Sequence, residues 1–238
     1  MKKLYILKTG TTYPATAKRL GDFDTWSING LGNRAFECRV LDVEHGSELP
    51  DAGDCAGVLI TGSHSMVTEN LPWSLRVERW IAPLLASRIP ILGICYGHQL
   101  LARAAGGQVG FHPTGKEIGT VQIQVLPDGT EDGLFRNMPS SFRAHVCHAQ
   151  TVLSLPPNAV RLAWNQHEPN HAFRIGGCAW GVQFHPEYTV DIMKAYIEEQ
   201  AEELQRAGMD PADLSATVQD TPLAAVTLEN FARVVECA

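Results

Sequence analysis

The chain has 238 residues, 45% of them hydrophobic and 19% charged, and its 26 acidic and 19 basic side chains give a formal net charge of -7. This composition excludes a disordered or low-complexity chain, and a chain of this length buries enough surface to hold a core without disulfides or a metal. No stretch concentrates Lys or Arg, so the basic footprint that nucleic acid or an anionic membrane requires is absent.

The first element reads as a buried strand at Leu4–Leu7. Its lysine-rich start imitates a secretory leader, but the apolar run ends too soon for one. Nowhere do about 18 apolar residues run together, so no membrane-spanning helix is expected and the chain is expected to be cytoplasmic. The segment Gly10 to Gly30 carries Tyr13, Asp22, Asp24 and Trp26 and is longer than a typical strand-to-helix connection. It suits either a cover over a site or a dimer contact. Ala35–Val40, Gly57–Ile60 and Ile89–Ile94 read as further strands. Between the last two, Trp73, Val77, Trp80, Ile81, Leu84 and Leu85 recur at spacings of three and four, the stripe of a helix from Leu71 to Arg88 that Pro83 should kink or restart.

After Gly106-Gly107 short strands alternate with turn signals: Glu117–Leu126, Phe142–Gln150, Val160–Trp164, Ala172–Ile175 and Cys178–Phe184. Trp73, Trp80 and Trp164 read as core anchors. Beyond Glu187 the pattern turns helical, with Ile192, Tyr196, Ile197, Ala201 and Leu204 on one face before Gly208, and Asp210 to Ala238 reads as one or two more helices. The expected architecture is α/β: a mainly parallel sheet flanked by helices, an antiparallel extension, and C-terminal helices. With no linker or repeat, one domain is expected over 1–238, its core about 1–190 and a helical extension about 191–238.

Six cysteines (Cys38, Cys55, Cys95, Cys147, Cys178, Cys237) form no C-x-x-C pair, so neither a zinc knuckle nor a dithiol site is written locally. Cys95 stands apart. In Ile91-Leu92-Gly93-Ile94-Cys95-Tyr96-Gly97-His98-Gln99 it follows a strand, opens a helix, and has glycine two before and two after. That is the nucleophile elbow with sulfur in place of oxygen, a strained turn where flanking side chains would collide. A sulfur at a helix N-terminus is favoured as thiolate, and the free N–H groups there can hold an oxyanion, with Tyr96 N–H the natural first donor. The pattern alone also fits a tightly packed strand end with an inert thiol.

A nucleophile needs a base. In Gly181-Val182-Gln183-Phe184-His185-Pro186-Glu187, His185 and Glu187 lie two apart, on one face of an extended segment, so the carboxylate can orient the imidazole. Cys95, His185 and Glu187 together make a nucleophile, base and orienter.

Gly-Ile-Cys-Tyr-Gly-His-Gln and Gly-Val-Gln-Phe-His-Pro-Glu together resemble the two signature motifs of the class I glutamine amidotransferases. Within the class the chain is most similar to stand-alone proteins like the amidotransferase domain of GMP synthase. The resemblance spans about residues 1–190 and implies a flavodoxin-like sheet. It also implies that Cys95 attacks the glutamine carboxamide, His185 shuttles the proton and Glu187 orients His185. Leu59-Ile60-Thr61-Gly62-Ser63-His64-Ser65 takes the place of the family's glycine loop, with Thr61 for the first glycine and Ser63 for the proline. The resemblance makes Gly62 N–H the second oxyanion donor and Gln99 a substrate-binding residue. Its implied ligand is glutamine or a γ-glutamyl compound. Whether the chain serves a separate synthetase subunit, acts alone, pairs with itself or is an idle interaction module stays open on the sequence, though the complete Cys95, His185, Glu187 set argues against the last.

Other patterns carry less. His167-Glu168-Pro169-Asn170-His171 satisfies H-E-x-x-H, but zinc binding needs both histidines on one helix, and Pro169 makes the stretch a turn between strands. His145 and His148, three apart on a strand, should face opposite ways, and His64 and His98 flank the site. No phosphate loop ending in G-K-[ST] is present, so no nucleotide-driven synthetase is written here. No metal or cofactor is expected.

Overall fold

The computed structural model describes residues 3–32 and 34–238. Five short apolar runs become parallel strands: β1 (Lys3–Lys8), β2 (Cys38–Asp42), β3 (Cys55–Ile60), β4 (Ile91–Ile94) and a late one, β11 (Ala179–Val182), in the order β2-β1-β3-β4-β11. Successive side chains point to opposite faces, so Leu4 and Ile6 enter one hydrophobic cluster while Tyr5 and Leu7 enter another. A strand covered on both faces is continuously apolar, which is why β3, β4, β11 and the centre of β1 do not alternate with polar residues, whereas the edge strand β2 does carry exposed ones. The sheet continues antiparallel through β10 (Ala172–Ile175), β9 (Val160–Trp164), β6 (Glu117–Val125) and β7 (Ser141–His148).

One face of the parallel half is covered by α3 (Pro72–Ala86) and α4 (Tyr96–Ala104), the other by α2 (Phe23–Leu31) and the last helix, α9 (Pro222–Glu236). Pro72 opens α3, and Val77, Ile81 and Leu84 form its buried face. The helix does not restart at Pro83; that ring lies on the exposed side, and the element runs unbroken to Ala86. α9 is part of the core: Leu228, Phe231 and Ala232 are fully buried beside Leu4 and Ile6.

Several expected boundaries shift. The second strand begins at Cys38 rather than Ala35 and ends at Asp42. Phe142–Gln150 divides at Ala149, β7 staying in the main sheet while β8 (Gln150–Ser154) pairs with β5 (Gln108–Phe111) in a separate ribbon. The segment 10–30 is helical: Pro14 opens α1 (Pro14–Leu20), Gly21 closes it at φ 85°, and Asp22 caps α2 by accepting from Phe23 N–H at 2.9 Å. The expected helix ending at Gly208 breaks at Gln200 into α6 (Val190–Glu199) and α7 (Ala201–Arg206). Two more follow, α8 (Pro211–Thr217) and α9. Trp164 is no core anchor: it is 41% exposed, at the end of β9 beside the polar Gln122 and Gln124 of β6. Trp73 and Trp80 are half-buried against the α3 cluster, and Trp80 Nε1 donates to Pro50 O at 2.7 Å. Among the described residues no helix is long and apolar enough to cross a membrane.

Candidate active site

Cys95 occupies the single residue between β4 and α4, at φ 50° and ψ -97°. A residue with a β-carbon holds such a backbone only where its neighbours enforce it. Here Cys95 N–H donates to Val182 O at 2.9 Å and Cys95 O accepts from Gln99 N–H at 3.1 Å. The two flanking glycines let the helix settle onto the strands. A β-carbon at Gly93 would lie 2.3 Å from the Gly97 carbonyl oxygen, and one at Gly97 would lie 2.4 Å from that of Ile60. Cys95 therefore sits at the C-terminal edge of the parallel sheet, at the N-terminus of α4, where the helix dipole favours negative charge.

His185 follows β11, the neighbour of β4, and is steadied by its N–H donating to His145 O at 2.8 Å. Its Nδ1 lies 2.7 Å from Glu187 Oε1, and its ring stacks on Tyr188 with centroids 3.9 Å apart. An ionised carboxylate only accepts, so Nδ1 carries the proton and Nε2 is left for Cys95. Burial opposes a charge on His185, but the Glu187 carboxylate and then the Cys95 sulfur outweigh it and hold the imidazole well above its ordinary value.

Gly62 ends the loop after β3 and lies against the same ring; a β-carbon there would be 3.0 Å from His185 Cε1. Among the described residues neither Gly62 N–H nor Tyr96 N–H is bonded to a backbone carbonyl. Thr61, where the resemblance anticipates glycine, has a partner of its own: its Oγ1 accepts from Thr9 N–H at 3.1 Å, and Thr9 Oγ1 donates to Gly62 O at 2.9 Å. Ser63 Oγ accepts from Ser65 N–H at 3.1 Å. These bonds fix the loop without the family's glycine and proline.

The glutamine amidotransferase class-I family model matches residues 21–203. The chain belongs to this family. It is 39% identical over 142 residues to the GMP synthase [glutamine-hydrolyzing] of Aeropyrum pernix, covering 60% of this chain and 25% of that protein. The chain thus spans about a quarter of that relative's length. It is 31% identical over 198 residues to gamma-glutamyl peptidase 4 of Arabidopsis thaliana, covering 81% of this chain and 78% of that one. The crystal structure of a glutamine amidotransferase from Thermotoga maritima superposes with a TM-score of 0.77 at 25% identity, over 99% of this chain and 98% of that one.

In this member of the class I family, Cys95, Tyr96 and Gln99 line a cavity of about 170 Å³. Gln99 is committed to the wall by its amide nitrogen, which donates to Gln150 O at 2.8 Å and Gln183 Oε1 at 3.0 Å. The sequence assigns no role to Met66, Gln200 or Glu203, yet they line the same cavity as Tyr13, Ser63, Ser65 and Lys116. Tyr13 could have been found from its place in the unexplained segment 10–30, since α1 and α2 cover this side of the site: Tyr13 packs on His64 at 4.4 Å and Trp26 on Tyr188 at 5.5 Å. Gln200 and Glu203 lie far in the chain from the cysteine motif and leave no local signal.

His64, His112, His148, His167 and His171 have structural partners. His64 Nε2 lies 3.2 Å from the Tyr196 hydroxyl, and burial holds its pKa below the ordinary value. His148 faces the cavity while its Nε2 lies 3.0 Å from Glu117 Oε2. His167 stacks on His112 at 4.1 Å and His171 lies 3.4 Å from Glu117 Oε2, the H-E-x-x-H pair sitting in and after a β9–β10 turn rather than on one helix. Among the described residues no cluster is suited to a metal.

Burial drives the pKa of His98 down to about 3 and that of His145 to about 4, against 6.5 in an unfolded chain. Lowered folded-state values mean that the unfolded chain takes up protons first as pH falls, so stability is lost between pH 6.5 and those values. His98 alone should remove about 3 kcal/mol by about pH 4.5. Urea titrations at neutral and acid pH check this; equal stability at both would contradict it.

Proposed function

We propose that the chain cleaves the γ-amide of glutamine or a γ-glutamyl compound through a Cys95 thioester, releasing glutamate and ammonia or an amine. The observation that carries this reading is the strained Cys95 elbow at a helix N-terminus, coupled to the buried His185–Glu187 pair. Cys95 attacks the amide carbon, and Gly62 and Tyr96 N–H groups receive the oxyanion, each donor worth about 3–4 kcal/mol. His185, protonated and held by Glu187, gives its proton to the departing nitrogen. It then takes a proton from water, which opens the thioester to glutamate. Gln99 shapes the pocket.

The whole chain is proposed as one domain, acting in the cytoplasm. The free-standing γ-glutamyl hydrolase is the favoured version, because the match to the peptidase extends over most of both chains. The other version, a glutaminase subunit feeding ammonia to a separate synthetase, rests on the GMP synthase relative. Glutamate release by the purified chain, with L-glutamine and a panel of γ-glutamyl peptides, separates them. Brisk release from a peptide supports the first, slow release from every substrate with a reactive Cys95 supports the second, and release that survives loss of Cys95 rejects both.

The protonated His185 also sets a pH profile. Its value is raised, so activity should persist above pH 6.5 and fall at alkaline pH as the imidazolium is lost. Glu187→Gln removes the leading source of that rise and should move the alkaline limb down by about 1–3 pH units. An unmoved limb in the kcat profile would remove Glu187 from this role.

A further inference from the structure

Cleavage of a γ-glutamyl amide presents the cavity with a constant feature whatever the leaving group: an α-ammonium and an α-carboxylate two methylenes from the reacting carbonyl. Among the side chains lining the Cys95 cavity, Lys116 is the one Lys or Arg and Glu203 the one Asp or Glu. They are paired, Lys116 Nζ lying 2.7 Å from Glu203 Oε1, with a second bond from Nζ to Gln200 Oε1. The partners differ in freedom: the Lys116 side chain is 16% exposed, whereas that of Glu203 is 61% exposed. Lys116 is set by the left-handed Gly115 turn, at φ 89°, and by the first residues of β6. Alternation along that strand sends the next side chain, Glu117, the other way, to His148 and His171.

We propose that Lys116 and Glu203 recognise the zwitterionic head of the γ-glutamyl group, Lys116 binding the α-carboxylate and Glu203 the α-ammonium. The assignment rests on the γ-glutamyl reading given above. A part-exposed ion pair contributes little to stability, so exchanging its partners for those of the substrate costs little. A head lacking either charge leaves one side chain unpaired beside the bound ligand, which is the physical basis for rejecting it. The alternative is that the pair only ties α7 to β6.

The test uses the full chain and three amides: L-glutamine, glutaramate, which lacks the α-ammonium, and 4-aminobutanamide, which lacks the α-carboxylate. Ammonia release is measured for the wild type, Lys116→Met and Glu203→Gln. Lys116→Met should raise KM for L-glutamine at least tenfold, with a smaller change in kcat, and erase most of the preference for L-glutamine over 4-aminobutanamide. Glu203→Gln should do the same against glutaramate. A parallel arm compares alkylation of Cys95 by 6-diazo-5-oxo-L-norleucine, which carries the head, with alkylation by iodoacetamide, which does not. Lys116→Met should slow the first at least tenfold and the second less than twofold. Equal slowing of both, or an unchanged KM for L-glutamine, overturns the proposal in favour of the structural tie. A wild-type Cys95 that takes iodoacetamide but neither reacts with the headed reagent nor turns over L-glutamine or a γ-glutamyl peptide overturns the γ-glutamyl reading itself.

Discussion

Replacing Cys95 with serine is expected to reduce glutamate release by about a thousandfold or more while shifting the melting temperature by only a few degrees. The sulfur is small, and its contact with the Cys147 carbonyl at 3.7 Å is a weak one that a hydroxyl can forgo. The backbone at φ 50° is imposed by the surrounding strands and helix rather than by the side chain, so serine inherits the same strained turn. What serine lacks is an accessible anion: next to an imidazole already holding its proton, a hydroxyl stays protonated. Near-normal turnover would remove Cys95 from the chemistry, and a variant that fails to fold would make it a structural residue.

Gly97→Ala should be among the most damaging small changes in the molecule. Its β-carbon would stand 2.4 Å from the Ile60 carbonyl oxygen and 2.8 Å from the Ile60 β-carbon, both on β3, where no side-chain rotation gives relief. Either α4 lifts off the sheet or β3 moves; overpacking of this kind costs about 3 kcal/mol or more, a fall of roughly 6–12 °C in melting temperature for a chain of this size. Protein that still folds would carry Cys95 out of register with His185 and lose activity about a hundredfold. Gly177→Ala is the control, since nothing lies within 4 Å of a β-carbon there. If both variants melt together, the packing account of the elbow is wrong.

The parallel strands and α3 were legible because each is long or apolar enough to announce its period, as Leu4–Leu7 and the Val77, Ile81, Leu84 stripe do. Cys95, His185 and Glu187 were legible because each sits in a local motif. α1 was not: seven residues with Thr16 their one buried member carry too little periodicity, and tertiary contacts stabilise the helix instead. The β5–β8 ribbon was hidden because Gln108-Val109-Gly110-Phe111 has no apolar run and no buried residue to announce a strand, and Gln200 gave no sign of the break between α6 and α7. The upper wall of the cavity was least visible, since Lys116 meets Gln200 and Glu203 only after the chain has crossed from β6 to α7.

The central claim is that a γ-glutamyl group is carried on one sulfur. Mixing the protein with L-glutamine or a γ-glutamyl peptide, quenching in acid within the first turnovers and mapping the adduct by mass spectrometry tests it most directly. The account predicts one glutamyl residue on the peptide containing Cys95, accumulating at high substrate and absent in Cys95→Ser. Glutamate release with no adduct at Cys95, or with the adduct on another cysteine, would contradict it.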